Sequence, residues 1–373
     1  MYDIAIVGGG LAGLFNSILL SRSGFKVILF EKKQYPFHRV CGEYISNEVL
    51  PFLEKQDLFP AHLEPSRIDR LIISSSSGSQ FSTPLDLGGF GVSRFAYDHW
   101  LAQKAMASGV ELLENTTVQD IQFQGDQFNL TTSLGTEYTS KLVIGAHGKR
   151  TKLDKQLNRN FIRDHSPYVG VKYHLKTDSP SDTIALHNFT GGYCGISKVE
   201  DDTYNLCYLI HRDQIRKHGS IEQTEKNVLQ KNPHLNHLMT NSDFLFDKPE
   251  VINEVSFKAK EAVYQKILMT GDSAGTITPL SGNGMAMAIR SAHLLSQQII
   301  SNYSNGQIDL DKVICGYTTA WDVQFKRPMW IGRKIQWMYF GNPLASHIAV
   351  LTGKIAKPIA KVMIKQTHGE PFS

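Results

Sequence analysis

The sequence predicts an α/β fold: a parallel sheet flanked by helices, an antiparallel sheet inserted into it, and a helical C-terminal region. Three observations carry that prediction. The N-terminal stretch alternates strand, glycine-rich turn, helix and strand. The middle of the chain switches to period-two alternation rich in aromatic and β-branched residues. Near residue 270 a buried strand leads into a second glycine-rich turn and another helix.

The first unit runs from Met1 to Glu31. Tyr2 to Val7 reads as a strand, Gly8-Gly9-Gly10-Leu11-Ala12-Gly13 as a turn into a helix, and Lys26 to Phe30 as a second strand. Gly8 allows the tight turn, Gly10 lets the backbone approach a pyrophosphate, and Gly13 lets the helix pack on the sheet. The N–H groups of Leu11 and Ala12 at the helix start face the anion. Glu31 stands 21 residues after Gly10, where a carboxylate reaches ribose hydroxyls, with Lys32 beside it. The unit is therefore a Rossmann-like dinucleotide site. The carboxylate would repel a 2′-phosphate, which favours FAD or NAD over NADP. Ile4 to Ser21 carries no charge, but Asp3 precedes it and four glycines interrupt it. Asn16 and Ser17 lie within it, so neither a targeting segment nor a membrane span is expected.

Composition narrows the class further. With 373 residues, 41% hydrophobic and 20% charged, the chain can bury a substantial core in about two domains. A net charge of +4 is modest and does not by itself argue for nucleic acid, which would want a concentrated basic face. Cys41, Cys194, Cys207 and Cys315 form no CxxC and no zinc spacing, so a reduced, cytoplasmic protein without a bound metal is expected.

Further elements follow in order. The loop Gln34 to Glu43 contains Pro36. Ile68 to Ile73 and Gln80 to Thr83 form a hairpin over Ser74 to Ser79. A helix from Arg94 to Ser108, with Phe95, Leu101, Ala105 and Met106 on its apolar face, ends at Gly109. Short strands are expected near residues 111–113, 118–123, 128–132 and 142–144. Val169 to Leu175 and Thr203 to Ile210 begin the antiparallel sheet, and Ile221 to Thr240 reads as one polar helix. Lys266 to Thr270 returns to the first sheet. The expected division is 1–65, 92–165 and 250–300 for the nucleotide domain, 66–91 and 166–249 for the sheet domain, and 301–373 for the C-terminal helices.

The second glycine-rich turn reads Gly271-Asp272-Ser273-Ala274-Gly275 and continues through Pro279-Leu280-Ser281-Gly282-Asn283-Gly284 into a helix to about Ile300. Gly282 and Gly284 bare the helix start to a flat ring or an anion. Asp272, at a strand end, suits the hydroxyls of a polyol chain.

Together these motifs resemble the FAD-dependent oxidoreductases of the p-hydroxybenzoate hydroxylase fold, and within them the geranylgeranyl-reductase-like group. The resemblance covers about Met1 to Ile300. It implies that Gly8, Gly10, Leu11, Ala12, Gly13, Glu31 and Lys32 hold the ADP-ribose, and that Val118 touches adenine. It also implies that Gly271 and Asp272 hold the ribityl chain. Gly282, Asn283 and Gly284 would approach the flavin ring, Arg94 would lie near the cofactor, and Arg39-Val40-Cys41-Gly42-Glu43 would lie beside the isoalloxazine.

Two departures stand out. Gly145-Ala146-His147-Gly148 has His147 where the family commonly has Asp, and a structural histidine is the expected role. Gly192-Tyr193-Cys194-Gly195-Ile196-Ser197 lacks the tryptophan of the reductase motif. The W-x-W-x-I-P signature of flavin halogenases is also absent, which argues against halogenation.

The expected activity is reduction of a carbon–carbon double bond in an apolar isoprenoid-, polyketide- or lipid-like substrate, with FAD as cofactor and NAD(P)H as donor. A flavin monooxygenase and a non-catalytic prenyl- or lipid-binding relative are the alternatives. Cys41 is the candidate proton donor, or else a small packing residue. Tyr173, His187 and Tyr193 are candidates for the substrate face.

From Val323 to Gly369 there is no acidic residue. Lys326, Arg327, Arg333, Lys334, Lys354, Lys357, Lys361 and Lys365 punctuate an apolar background with Trp330, Trp337, Met338, Tyr339 and Phe340. A helical cap over the substrate cavity is the favoured reading, and peripheral contact with the inner membrane surface the other.

Overall fold

The computed structural model describes residues 1–278, 282–339, 342–355 and 369–373. Pro279, Leu280, Ser281, Phe340, Lys357, Lys361 and Lys365 lie outside them, as do the side chains of Trp337, Met338 and Tyr339.

The N-terminal strand Tyr2–Val7 pairs in parallel with Val27–Phe30 on one side and Glu137–Gly145 on the other. Glu111–Leu113 and Ile267–Met269 extend this parallel sheet at its two ends. Strands buried on both faces need continuous apolar runs, and Ile4, Ala5 and Ile6 are fully buried. The helices Leu11–Arg22 and Gly284–Ser301 pack against each other in the same apolar core.

A second sheet follows the order Asp243–Phe244, Tyr168–Lys176, Tyr204–His211, Gly192–Lys198, Thr183–Phe189, Ser66–Ser74, Gln80–Gly91 and Tyr44–Ser46. It is antiparallel except where Thr183–Phe189 runs parallel to Ser66–Ser74. Tyr44–Ser46 pairs with Gln80–Gly91, and Glu250–Ile252 with Tyr168–Lys176. Both short strands thus pair with the second sheet, although the division expected from the sequence places them in the nucleotide domain.

Local expectations fail in two helices. The segment read as one helix over Ile221 to Thr240 is broken into Ile221–Asn227, a turn at Leu229–Lys231, and Pro233–Asn241. Pro233 cannot continue a helix from before it, and the Asn232 side chain caps the new start. In the helix Arg94–Ala107, Phe95 and Met106 are exposed, and the buried face is Tyr97, Asp98, Leu101, Ala102 and Ala105. A buried carboxylate partnered by arginines occupies the face that apolar counting would place elsewhere.

Candidate functional site: a two-part cavity between the sheets

A cavity of about 1070 Å³ lies between the two sheets. An ordinary small-molecule pocket spans about 300–1,000 Å³, so there is room for a large ligand. One end is built by the first βαβ unit. Gly8, at φ +108°, turns the chain so closely that a Cβ would stand 2.4 Å from the Ala146 carbonyl oxygen. A Cβ on Gly13 would clash with the Gly8 carbonyl, so Gly13 serves helix–strand packing and not the ligand. A Cβ on Gly10 would meet only Arg94 Nη2, at 3.7 Å. Gly10 therefore keeps space open towards the cavity, where Leu11 and Ala12 also stand. Among the described residues no side chain caps this helix, which leaves its first N–H groups available to an anion.

Glu31 is 3% exposed and lines the same wall. Its Oε2 accepts from Gly9 N–H at 3.0 Å and Arg39 Nη2 at 2.9 Å, and its Oε1 from Lys33 N–H at 3.1 Å. A carboxylate has about four acceptor sites, so one remains for a ligand hydroxyl. Arg39 also donates through Nε to Asp98 Oδ2 at 3.1 Å, and Arg94 grips Asp98 with two bonds of 2.6 and 2.7 Å. Burial works against the Arg94 charge, but its bonds to Asp98 outweigh it and hold the guanidinium firmly protonated. Asp98 is the hub that sequence reading missed. The i,i+4 pair Arg94/Asp98 was its visible signal.

The remaining expected residues divide clearly. Lys32, Cys41, Gly42, Val118, Gly271, Asp272, Gly282 and Gly284 all line the cavity. Asn283 does not belong to the lining; its Nδ2 donates to buried Glu48 Oε2 at 3.0 Å and anchors the helix start. Gly271, at φ +58°, sits where a Cβ would press on Ala12 at 2.9 Å, so the two glycine-rich corners meet. His147 lines the cavity, and its Nε2 lies 3.0 Å from Asp154 Oδ1, which Arg159 also binds at 3.1 Å. The Asp154 contact orients the ring, and its place on the cavity wall puts it within the site as well.

The loop bearing Cys41 is fixed from the second sheet. Glu43 accepts from Lys172 Nζ at 2.5 Å, from Arg94 N–H at 2.8 Å, and lies 2.6 Å from His174 Nε2. Burial opposes its ionisation, but Lys172 and His174 overcome this and draw the carboxyl down to about 2. Asn205 Nδ2 donates to the Cys41 carbonyl at 3.1 Å. His38, on the cavity wall, stacks on Phe95 and is depressed to about 4, mainly by burial and then by Lys172.

The other end of the cavity is apolar, with Leu71, Ile73, Leu85, Leu186 and Ile252 among its walls. Of the three residues expected on a substrate face, Tyr193 lines the cavity. Tyr173 and His187 do not. Tyr173 lies on the opposite face with its OH on Glu225, 3.0 Å away, and the His187 ring is 2.9 Å from Ser74 Oγ. The helix Pro343–Ile355 closes this end with Ser346, Ala349, Thr352 and Gly353.

The FAD binding domain family matches residues 1–311. The chain belongs to that family. This flavoprotein is similar to a digeranylgeranylglycerophospholipid reductase of Methanococcus vannielii, 22% identical over 339 residues, covering 86% of this chain and 82% of the relative. It is also similar to a 1H-pyrrole-2-carbonyl-[peptidyl-carrier protein] brominase of Pseudoalteromonas luteoviolacea, 24% identical and covering 81% and 79%. Among solved structures, the flavin-dependent brominase Bmp2 superposes with a TM-score of 0.77 at 20% identity, covering 100% of this chain and 94% of that one. At that identity the superposition speaks for the fold. The protein is an FAD-dependent oxidoreductase of the p-hydroxybenzoate hydroxylase fold. The uncapped helix start, the space beside Gly10 and the open acceptor site on Glu31 fit the ADP-ribose half of FAD, and the meeting of Gly271 with Ala12 fits a ligand spanning both corners.

Proposed function

We propose that this flavoenzyme reduces a carbon–carbon double bond in an apolar, isoprenoid- or lipid-like substrate, with NAD(P)H as electron donor. The observation that carries this reading is the apolar arm of the cavity, continuous with the cofactor half and walled by aliphatic side chains. The name of the Methanococcus relative, a reductase of a geranylgeranyl lipid, supports the same chemistry. FAD, when bound, supplies the hydride, so the chain must supply one proton to the other carbon. Cys41 stands on the cavity wall with the Arg94 guanidinium beside it, so negative charge formed at Sγ is balanced in place. Glu43 and Asn205 hold that loop still, which is what orientation requires. The apolar walls exclude water from the reacting carbons. Lys149, Arg150 and Lys152 line the same cavity and suit a phosphate-bearing donor.

The test is anaerobic. FAD-loaded protein is reduced with NADH or NADPH, then mixed with polyprenyl lipids of increasing chain length. A product heavier by two hydrogens, with reoxidation of the flavin, supports the proposal. A product made only with oxygen and heavier by one oxygen atom assigns a monooxygenase instead. Flavin that no substrate and no oxygen reoxidises supports a binding protein.

A further inference from the structure

We propose that the outer face of the helix Pro343–Ile355 docks on an anionic lipid surface. The helix has two apolar faces. At about 100° per residue, Ser346, Ala349, Val350 and Gly353 share one side. That side is turned inward: Ser346, Ala349 and Gly353 line the cavity, Val350 is 1% exposed, and a Cβ on Gly353 would stand 2.6 Å from the Phe81 ring. Leu344, Ile348, Leu351 and Ile355 fall within about 60° of one another on the opposite side. They are 70%, 53%, 49% and 76% exposed.

Four large aliphatics in one exposed row are not the scattered surface leucines of an ordinary globular protein. Charge and aromatic chemistry identify the occupant. The preceding helix, Arg327–Tyr339, is in contact with this one and exposes Arg327, Trp330 and Lys334 at i, i+3 and i+7. Lys334 Nζ lies 5.8 Å over the Trp330 ring. Tryptophan flanked by cations is the composition of a membrane interface. No acidic residue occurs between Val323 and Gly369 to oppose an anionic surface. Among the described residues no helix is long and apolar enough to cross a membrane, so the contact is peripheral. One face of the helix thus meets lipid while the other walls the apolar arm. The corollary that substrate enters from the lipid rests on the proposed function; the docking does not.

The test uses FAD-loaded protein and sedimentation with vesicles of phosphatidylcholine alone or with about one third phosphatidylglycerol. Wild type is expected to bind the anionic vesicles at least tenfold more tightly than the neutral ones, and less tightly as salt is raised. Ile348→Ser/Leu351→Ser should lose at least tenfold in vesicle binding while keeping its flavin absorbance. Arg327→Gln/Lys334→Gln should lose about 25-fold on anionic vesicles, at roughly fivefold per charge, and little on neutral ones.

Absence of binding by wild type overturns the proposal, as does equal binding by the Ile348/Leu351 variant. Indifference to salt and to the charge variant overturns the anionic surface. A wild-type dimer in gel filtration that Ile348→Ser/Leu351→Ser converts to monomer would assign the stripe to a second copy of the chain, and so overturn it too. None of these readouts depends on turnover, so failure of the reductase reading would leave them interpretable.

Discussion

Lys172 Nζ lies 2.5 Å from Glu43 Oε1, and both side chains are fully buried. Lys172 belongs to the second sheet and Glu43 to the loop that carries Cys41, so this ion pair ties the second sheet to that loop of the cavity wall. Removing one partner strands a charge out of water. Lys172→Met should cost about 3–5 kcal/mol in denaturant unfolding of the FAD-loaded protein. Glu43→Gln/Lys172→Met should recover most of it.

The same pair predicts acid sensitivity. The Glu43 carboxyl titrates at about 2 when folded, against 4.5 in an unfolded chain. A depressed carboxyl stabilises the fold fully above pH 4.5 and loses that contribution as pH falls towards 2. The difference amounts to about 3 kcal/mol. Unfolding midpoints should fall over that window in wild type, and far less steeply in Glu43→Gln/Lys172→Met.

Gly10 and Gly8 should separate ligand binding from folding. Gly10→Ala finds open space, with Arg94 Nη2 at 3.7 Å as its neighbour. The apoprotein should unfold at an unchanged denaturant concentration, while FAD affinity drops at least about tenfold because the pyrophosphate loses its close approach. Gly8→Ala meets backbone at 2.4 Å in a positive-φ conformation. It should instead lower the stability of the apoprotein, by about 2 kcal/mol or more.

For Glu31, the bond to a ribose hydroxyl should contribute about 1.5–3 kcal/mol. Glu31→Ala should weaken FAD binding roughly 10- to 150-fold in fluorescence titrations of apoprotein. Because Arg39 and Gly9 N–H also lose their acceptor, Glu31→Gln is the informative companion. It retains an oxygen and should show the smaller loss.

Cys41→Ser distinguishes a proton donor from a packing residue. A general acid contributes about 10²–10⁴-fold to its step. If Cys41 has that proposed role, product formation slows by that factor while the rate of flavin reduction is unchanged. A loss below about threefold would assign Cys41 to packing.

Much of the cofactor half was legible because its logic is local. Gly8, Gly10, Gly13 and Glu31 sit within one βαβ unit, where spacing alone places a turn, a helix start and an acid. Gly271 and Asp272 were readable in the same way, as a strand running into a second turn. The substrate half was not. Alternation in Tyr168–Lys176 predicts a strand but leaves open which face meets the cavity, since a period of two is satisfied either way. Tyr193 and Tyr173 therefore looked equivalent, yet one faces the cavity and the other Glu225.

The sequence by itself determined the two glycine-rich corners, the acid after the second strand, and hence a dinucleotide as the ligand; the flavin followed from the family that those motifs resemble. Only the tertiary structure decided that Asp98 binds Arg39 and Arg94 together, that Glu43 pairs with Lys172 across 129 positions, and that Asn283 turns to Glu48. The physical reason is range. Backbone conformation and hydrogen-bonding capacity are set by neighbouring residues, whereas the partner of a buried charge is set by which distant segments the packed core brings within about 3 Å.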